Sequence, residues 1–173
     1  MATLTVWKFD EPELANKAVQ KLESLQKQQI IQVYDAATVS WPQGRSKPKT
    51  TQAVNLVGAG AFSGGFWGLL LGLIFFTPLL GLAVGAAAGA ISGYFRDYGI
   101  NDDFIKDIRE KITEGNSALF LLTGQVTAVD KVKAAFEGEI EHAELLQSNL
   151  SGEQEAKLRE DFGIEDAAEQ AAV

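Results

Sequence analysis

The fold is decided by the stretch TTQAVNLVGAGAFSGGFWGLLLGLIFFTPLLGLAVGAAAGAISGYF, residues 50–95, which contains 46 residues and not one charged side chain. Pro78 divides it into two apolar runs, Val54–Phe76 with 23 residues and Leu79–Phe95 with 17. A membrane-spanning helix needs roughly 20 apolar residues, with about 17 at the short limit. Because proline disfavours helix at the residue before it, Thr77–Pro78 is the predicted turn. The stretch therefore predicts two helices in a hairpin, with both ends on one side of a bilayer.

The glycines of this stretch recur at every fourth position in two sets, which are Gly60, Gly64, Gly68 and Gly72, then Gly81, Gly85, Gly89 and Gly93. A stripe without side chains lets a second helix backbone approach closely, which favours packing inside a membrane. Each interior glycine costs about 1 kcal/mol relative to alanine in a water-exposed helix, so packing has to offset that loss. The second run is small nearly all round, and we therefore expect this glycine zipper to mediate helix packing and homo-oligomers.

The first apolar run also carries bulky side chains away from its glycines, and these are expected to face lipid: Phe62, Phe66, Leu69, Leu70 and Leu73. Aromatic residues near the membrane–water interface are expected anchors, and the candidates are Trp41, Trp67, Tyr94 and Tyr98, with a core position as the alternative for Trp41.

Four basic residues flank the open end of the predicted hairpin, namely Arg45, Lys47, Lys49 and Arg96, whereas its turn has no charge. Cationic flanks stay in the cytoplasm, so we expect a bacterial cytoplasmic membrane location with both termini inside. The same residues are expected to attract anionic lipid headgroups, at about 1 kcal/mol each. An alternative is a cytoplasmic assembly that buries its hairpins in its own interior, since the second run is short and the flanking sequence is water-soluble in character.

The flanking sequence reads as two strand–helix–strand units. Residues 1–49 form the first half, residues 50–96 the hairpin, residues 97–150 a helix plus the second half, and residues 151–173 a C-terminal helix with an acidic tail. Two such units that pair into one sheet predict an α+β, ferredoxin-like split βαβ sandwich into which the hairpin is inserted.

Local signals predict the helix and turn boundaries. Asp10 is the expected cap of the first helix, with Pro12 in its first turn, and Asn101 is the expected cap of the helix after the hairpin. Gly115–Asn116 predicts a turn. Ser117–Thr123 is a continuous apolar run, which is typical of a strand that is covered on both faces. The pair Ser151 and Gln154 has capping-box spacing.

Composition argues against several function classes. The formal net charge of −8 argues against a nucleic-acid partner, and the absence of cysteine excludes thiol nucleophiles and cysteine metal sites. The single histidine, His142, has too few neighbouring ligands for a predicted metal site. The sequence predicts no catalytic residues, no metal and no cofactor. The uncharged hairpin also lacks the ionisable residue that is expected of a proton relay.

The ordered motifs Asp35-Ala36-Ala37, the zipper with its central Pro78, 97–101 (DYGIN) and 115–120 (GNSALF) resemble those of a bacterial family of predicted membrane proteins of unknown function, sometimes linked to stress responses. The resemblance covers roughly 3–129 and leaves 145–173 outside. It implies two ferredoxin-like halves with a hairpin between them, and it brings no catalytic residues.

The leading hypothesis is a non-enzymatic, membrane-associated scaffold that self-associates through the zipper hairpin. The alternative is a soluble or reversibly membrane-bound homo-oligomer with its hairpins packed inside. A pore is disfavoured because no polar residues line the hairpin, and a small-molecule sensor is suggested by the fold analogy alone.

Overall fold

The chain forms an antiparallel sheet with helices on both faces. The structure is a computed structural model that describes residues 3–52, 67, 70–76, 99–123, 127–137, 140, 143–149, 151, 153–154 and 156. The strands are β1 (Thr3–Phe9), β2 (Val33–Ser40), β3 (Lys49–Gln52), β4 (Ser117–Thr123) and β5 (Glu144–Asn149). Their order in the sheet is β3-β2-β4-β1-β5, and all neighbouring pairs are antiparallel. The predicted α+β class is confirmed.

The described helices are α1 (Leu14–Lys27), α2 (Asp102–Lys111) and α3 (Thr127–Glu137), together with a π-helical turn at Gly72–Phe76. Helix α1 connects β1 to β2, and α3 connects β4 to β5. In each case the two connected strands have one other strand between them in the sheet. The division of the chain into four segments is not tested by this arrangement and stays a prediction.

Strand β4 is the centre of the sheet. All seven of its residues are buried, and it pairs with β1 on one side and β2 on the other. Side chains along a strand point alternately to opposite faces, so an unbroken apolar run needs cover on both. The prediction of a doubly covered strand at Ser117–Thr123 is confirmed.

Helices α1 and α3 cover one face of the sheet. Trp7 and Phe9 of β1 meet Phe136 of α3 edge to face, with ring centroids 5.1 and 6.0 Å apart. Helix α1 contributes Ala18 and Leu22, four residues apart on one face of the helix, and both are fully buried. This layer is an ordinary helix-on-sheet core.

The prediction that Asp10 caps α1 is wrong. The helix begins at Leu14, after Glu13, whose side chain makes no capping hydrogen bond. Instead the hydroxyl of Ser117 on β4 accepts the N–H of Ala15 at 3.1 Å and donates to the carbonyl of Glu11 at 2.6 Å. A distant strand therefore supplies the acceptor that a local side chain was expected to provide.

The segment Pro42–Gln52 is polar and contains prolines and a glycine, yet it includes strand β3, which pairs along the C-terminal half of β2. Pro48 is buried just before β3. Pairing with β2 thus makes a strand of residues whose polar composition favours a loop.

Three other local signals are confirmed. The side chain of Asn101 accepts the N–H of Phe104 at 2.8 Å and so caps α2. Gly115 has φ +85°, which suits the predicted turn before β4. Ser151 and Gln154 exchange the two hydrogen bonds of a capping box, at 2.9 and 3.2 Å.

Replacing Ser117 with alanine should destabilise the fold by about 1–3 kcal/mol, because it leaves the buried N–H of Ala15 without its acceptor. Urea unfolding measures the change. Ser46→Ala, in the exposed loop before β3, is the matched control and should change the free energy of unfolding by less than about 0.5 kcal/mol. Equal effects of the two variants would contradict the capping role.

Candidate functional site: the docking face of the apolar segment

The second face of the sheet is apolar and is covered by the end of the first apolar run. We call this surface the docking face, and its sheet residues are Leu4, Val6, Ala37, Val39, Ala118, Phe120 and Leu122. Each of these side chains is fully buried, with 0 % of its surface exposed. Helix α2 packs on the same face through Ile105, Ile108 and neighbouring residues. The docking face therefore belongs to one continuous core.

Further cover comes from residue 67 and residues 70–76, which we call the docked segment. Its buried side chains are Trp67, Leu70, Leu71, Leu73, Ile74 and Phe75. The rings of Trp67 and Phe75 meet Phe120 of β4 edge to face, with centroids 6.2 and 6.5 Å apart. Phe75 also meets Trp41 at 6.3 Å. The central strand thus holds the segment through an aromatic cluster.

Helix α2 fastens the docked segment through Arg109. Its guanidinium donates from Nε to the carbonyl of Ile74 at 3.0 Å and from Nη2 to the carbonyl of Leu73 at 2.8 Å. A hydrogen bond from a charged guanidinium to a carbonyl is stronger than one between two neutral groups. Arg109 acts as a clasp between α2 and the π-helical turn.

The energetics show why this clasp matters. Burying a large apolar side chain gains about 1.5–3 kcal/mol, whether the apolar surroundings are protein or lipid. The hydrophobic effect alone therefore does not decide between docking on the sheet and insertion into a bilayer. Specific contacts decide it, namely the aromatic packing on Phe120 and the two hydrogen bonds from Arg109.

Two predictions about the first apolar run are wrong in this structure. Leu70 and Leu73, expected to face lipid, are 0 % and 5 % exposed and lie in the core of the chain. Trp67, expected at a membrane interface, is buried against Phe120. Hydropathy predicts that such residues avoid water, but it does not distinguish lipid from a sheet face.

Of the eight zipper glycines the structure describes Gly72, which begins the π-helical turn. Among the described residues, a Cβ atom there would meet no other atom within 4 Å, so this glycine is not required for close packing against them. Its role in packing between chains stays a prediction. The other predicted packing and turn residues lie outside the described residues, together with Arg96: Gly60, Gly64, Gly68, Gly81, Gly85, Gly89, Gly93, Thr77 and Pro78.

The predicted basic flank is exposed where the structure describes it. Arg45 and Lys47 lie in the loop before β3, and Lys49 is the first residue of that strand. The indole nitrogen of Trp41 donates to the carbonyl of Arg45 at 2.9 Å. This bond ties the basic loop to an aromatic ring that packs on the docked segment.

Sequence reasoning missed two polar residues of the site. Arg109 is one of several charged positions on an amphipathic helix, and no local pattern distinguishes it. Asp35 is fully buried in β2, opposite Leu122, and its carboxylate accepts the N–H of Ala36 at 2.8 Å. A lone aspartate within a β-branched and aromatic run is the signal that could have identified it.

Within the part of the chain that the structure describes, no helix combines the length and the apolar character that a bilayer crossing requires. The same residues contain no group of three or more acidic, histidine or cysteine side chains placed to hold a metal ion.

Comparison with protein-family models identifies a match over more than half of the chain. Residues 61–163 match the model of a family described as "Protein of unknown function (DUF1269)". The matched range differs from the predicted 3–129, since it omits the first half and includes β5 and most of the C-terminal segment. No curated protein and no solved structure matches the chain.

Removing the clasp should loosen the docked segment. In Arg109→Met the two carbonyls lose charged hydrogen bonds, each typically worth about 1.5–3 kcal/mol. We expect amide hydrogen exchange in residues 70–76 to accelerate at least about tenfold, while β4 is unchanged.

Lys106→Met removes a cation from the same helix, where it makes an exposed 3.9 Å contact with Glu110. It should leave exchange in the docked segment unchanged, because exposed ion pairs contribute little. Equal acceleration in both variants would show that Arg109 is not the clasp.

Proposed function

We propose that this chain, which belongs to the DUF1269 family of unknown function, is a non-enzymatic, self-associating protein. It binds membranes reversibly, and in the assembled form it packs its apolar hairpins together. The α/β domain holds the base of the hairpin, and the glycine-striped remainder makes the contacts between copies. The proposed sandwich is ferredoxin-like, because β1, β2, β4 and β5 have the strand order of that fold and β3 is an extra edge strand.

The single observation that carries this proposal is the burial of residues 70–75 against the sheet. A hairpin that spanned a bilayer along its full first run would present Leu70 and Leu73 to lipid, whereas here they pack on protein. The docked end leaves fewer residues for a complete crossing. Assembly between copies, or shallow contact with lipid, therefore fits the geometry better than a permanent span.

The rest of the hairpin argues for self-association. This part of the uncharged stretch is too apolar to remain exposed to water in a monomer, since monomers rarely expose large contiguous apolar patches. Gly85 and Gly89 belong to the second predicted helix, and the three residues between them, Ala86, Ala87 and Ala88, are all small. A second copy that offers the same stripe is a matching partner.

A second candidate is the permanently inserted scaffold in the bacterial cytoplasmic membrane. It is favoured by the uncharged stretch and by the exposed cations Arg45, Lys47 and Lys49, which suit an anionic lipid surface. Its link to stress responses rests on the resemblance of the motifs.

Membrane partition and size separate the two candidates. For the reversible assembly, carbonate washing should release most of the protein from membranes, and the detergent-free protein should be a discrete particle larger than one 18.6 kDa chain. Retention in the washed membrane would favour the inserted scaffold, and a soluble monomer would contradict both.

Leucine at Gly85 and Gly89 should weaken the oligomers, because the added side chains block close approach of helices. Cross-linking followed by size analysis should show a shift toward smaller species. Asn16→Leu with Gln20→Leu, at the same spacing on the exposed face of α1, is the control and should preserve the cross-linked pattern. An unchanged pattern in the glycine variant would show that the stripe is not the interface.

A further inference from the structure

A cavity of about 570 Å³ lies on the opposite side of the sheet from the docking face, between the end of α3 and the start of β5. Cavities of roughly 300–1,000 Å³ are the usual size for small-molecule sites. Because it is lined by residues of the other core layer, the docked segment takes no part in it. Any ligand here would be independent of the proposed self-association.

The floor of the cavity is apolar and rigid. Trp7 and Phe136 meet edge to face at its base, with Ile140 beside them and the half-buried Leu145 on the wall. The indole nitrogen of Trp7 donates to the hydroxyl of Thr5 at 3.1 Å, so its hydrogen-bonding need is met elsewhere. Trp7, Phe136 and Ile140 are almost fully buried beneath the cavity, so the carbon surface open to an apolar group comes chiefly from the half-buried Ala143 and Leu145.

The rim carries charges of both signs. Glu144 is already engaged, since Lys111 donates to its carboxylate at 2.8 Å and this hydrogen bond holds the pKa of Glu144 below its ordinary value. Lys133 and Glu137 are exposed, and within the described part of the chain neither has an ion pair or a side-chain hydrogen bond. They leave one cation and one anion to interact with a ligand.

The order of these two residues favours a ligand over a bond between them. Lys133 and Glu137 are four residues apart on α3, so they share one face of the helix. A lysine that precedes a glutamate at this spacing pairs less well than the reverse order. A molecule with both an ammonium and a carboxylate group satisfies the two charges together.

We propose that this cavity binds a small zwitterion with an apolar side chain, of the chemical class of the apolar amino acids. Its ammonium group pairs with Glu137, its carboxylate pairs with Lys133, and its side chain lies toward Trp7 and Phe136. Since both charged partners are exposed, the affinity is modest, with a Kd on the order of 1 mM.

The test uses the full chain, equilibrium dialysis, and L-phenylalanine and L-leucine as probes. Both should bind saturably. 2-Phenylethylamine and 3-phenylpropionate each lack one of the two charges and should bind several-fold more weakly than L-phenylalanine. Failure of both amino acids to saturate would overturn the proposal, as would an amine or an acid that binds as tightly as L-phenylalanine.

Two variants assign the charges. Lys133→Gln should weaken L-phenylalanine several-fold and leave 2-phenylethylamine unchanged, whereas Glu137→Gln should weaken L-phenylalanine and leave 3-phenylpropionate unchanged. Asp130→Asn, exposed on the same helix but outside the cavity, is the control and should bind like the original protein. Variants that leave L-phenylalanine binding unchanged would overturn the assignment.

Discussion

The rest of the structure depends on the burial of β4 from both sides. Its seven residues are all buried, and Phe120 on one face and Leu119 on the other need apolar neighbours of their own. Helices α1 and α3 supply one layer. The other layer consists of α2 and a few residues from the uncharged, glycine-rich stretch 50–95. The docking face is therefore both a core and the attachment point of the most unusual part of the chain.

Because of this dual role, docking of the segment on the sheet competes with its insertion into lipid. Apolar side chains gain a similar free energy in a protein core and in lipid, so the balance rests on a small number of specific contacts. Arg109 is central because it bonds carbonyls of the segment rather than its side chains. In the proposed function, the sheet holds the base of the apolar hairpin while the remainder meets a membrane or another copy.

The sequence predicts those features that depend on near neighbours along the chain. The Asn101 cap, the Ser151–Gln154 capping box and the apolar run of β4 were predictable because each signal lies within a few residues. The start of α1 was not predictable, because the hydroxyl of Ser117 that accepts the N–H of Ala15 lies 102 residues away along the sequence. Strand β3 was missed for the same reason: its polar residues become a strand through pairing with β2.

The candidate site was predictable only in outline. Residues 50–95 identify the segment that avoids water, but the identity of its apolar surroundings depends on the packing of the whole chain. Leu70 and Leu73 were therefore assigned to lipid and are buried on the sheet. The Arg109 clasp needs the position of α2 relative to the segment, which no local pattern contains.

The most direct measurement of the central claim is thiol labelling of Ile74→Cys in water, without membranes or detergent. The chain has no cysteine of its own, so a single introduced thiol reports on one position. If the segment docks on the sheet, a maleimide labels position 74 far more slowly than it labels Thr50→Cys on the exposed edge strand. Labelling at equal rates would show that the segment does not dock on the sheet and would contradict the account.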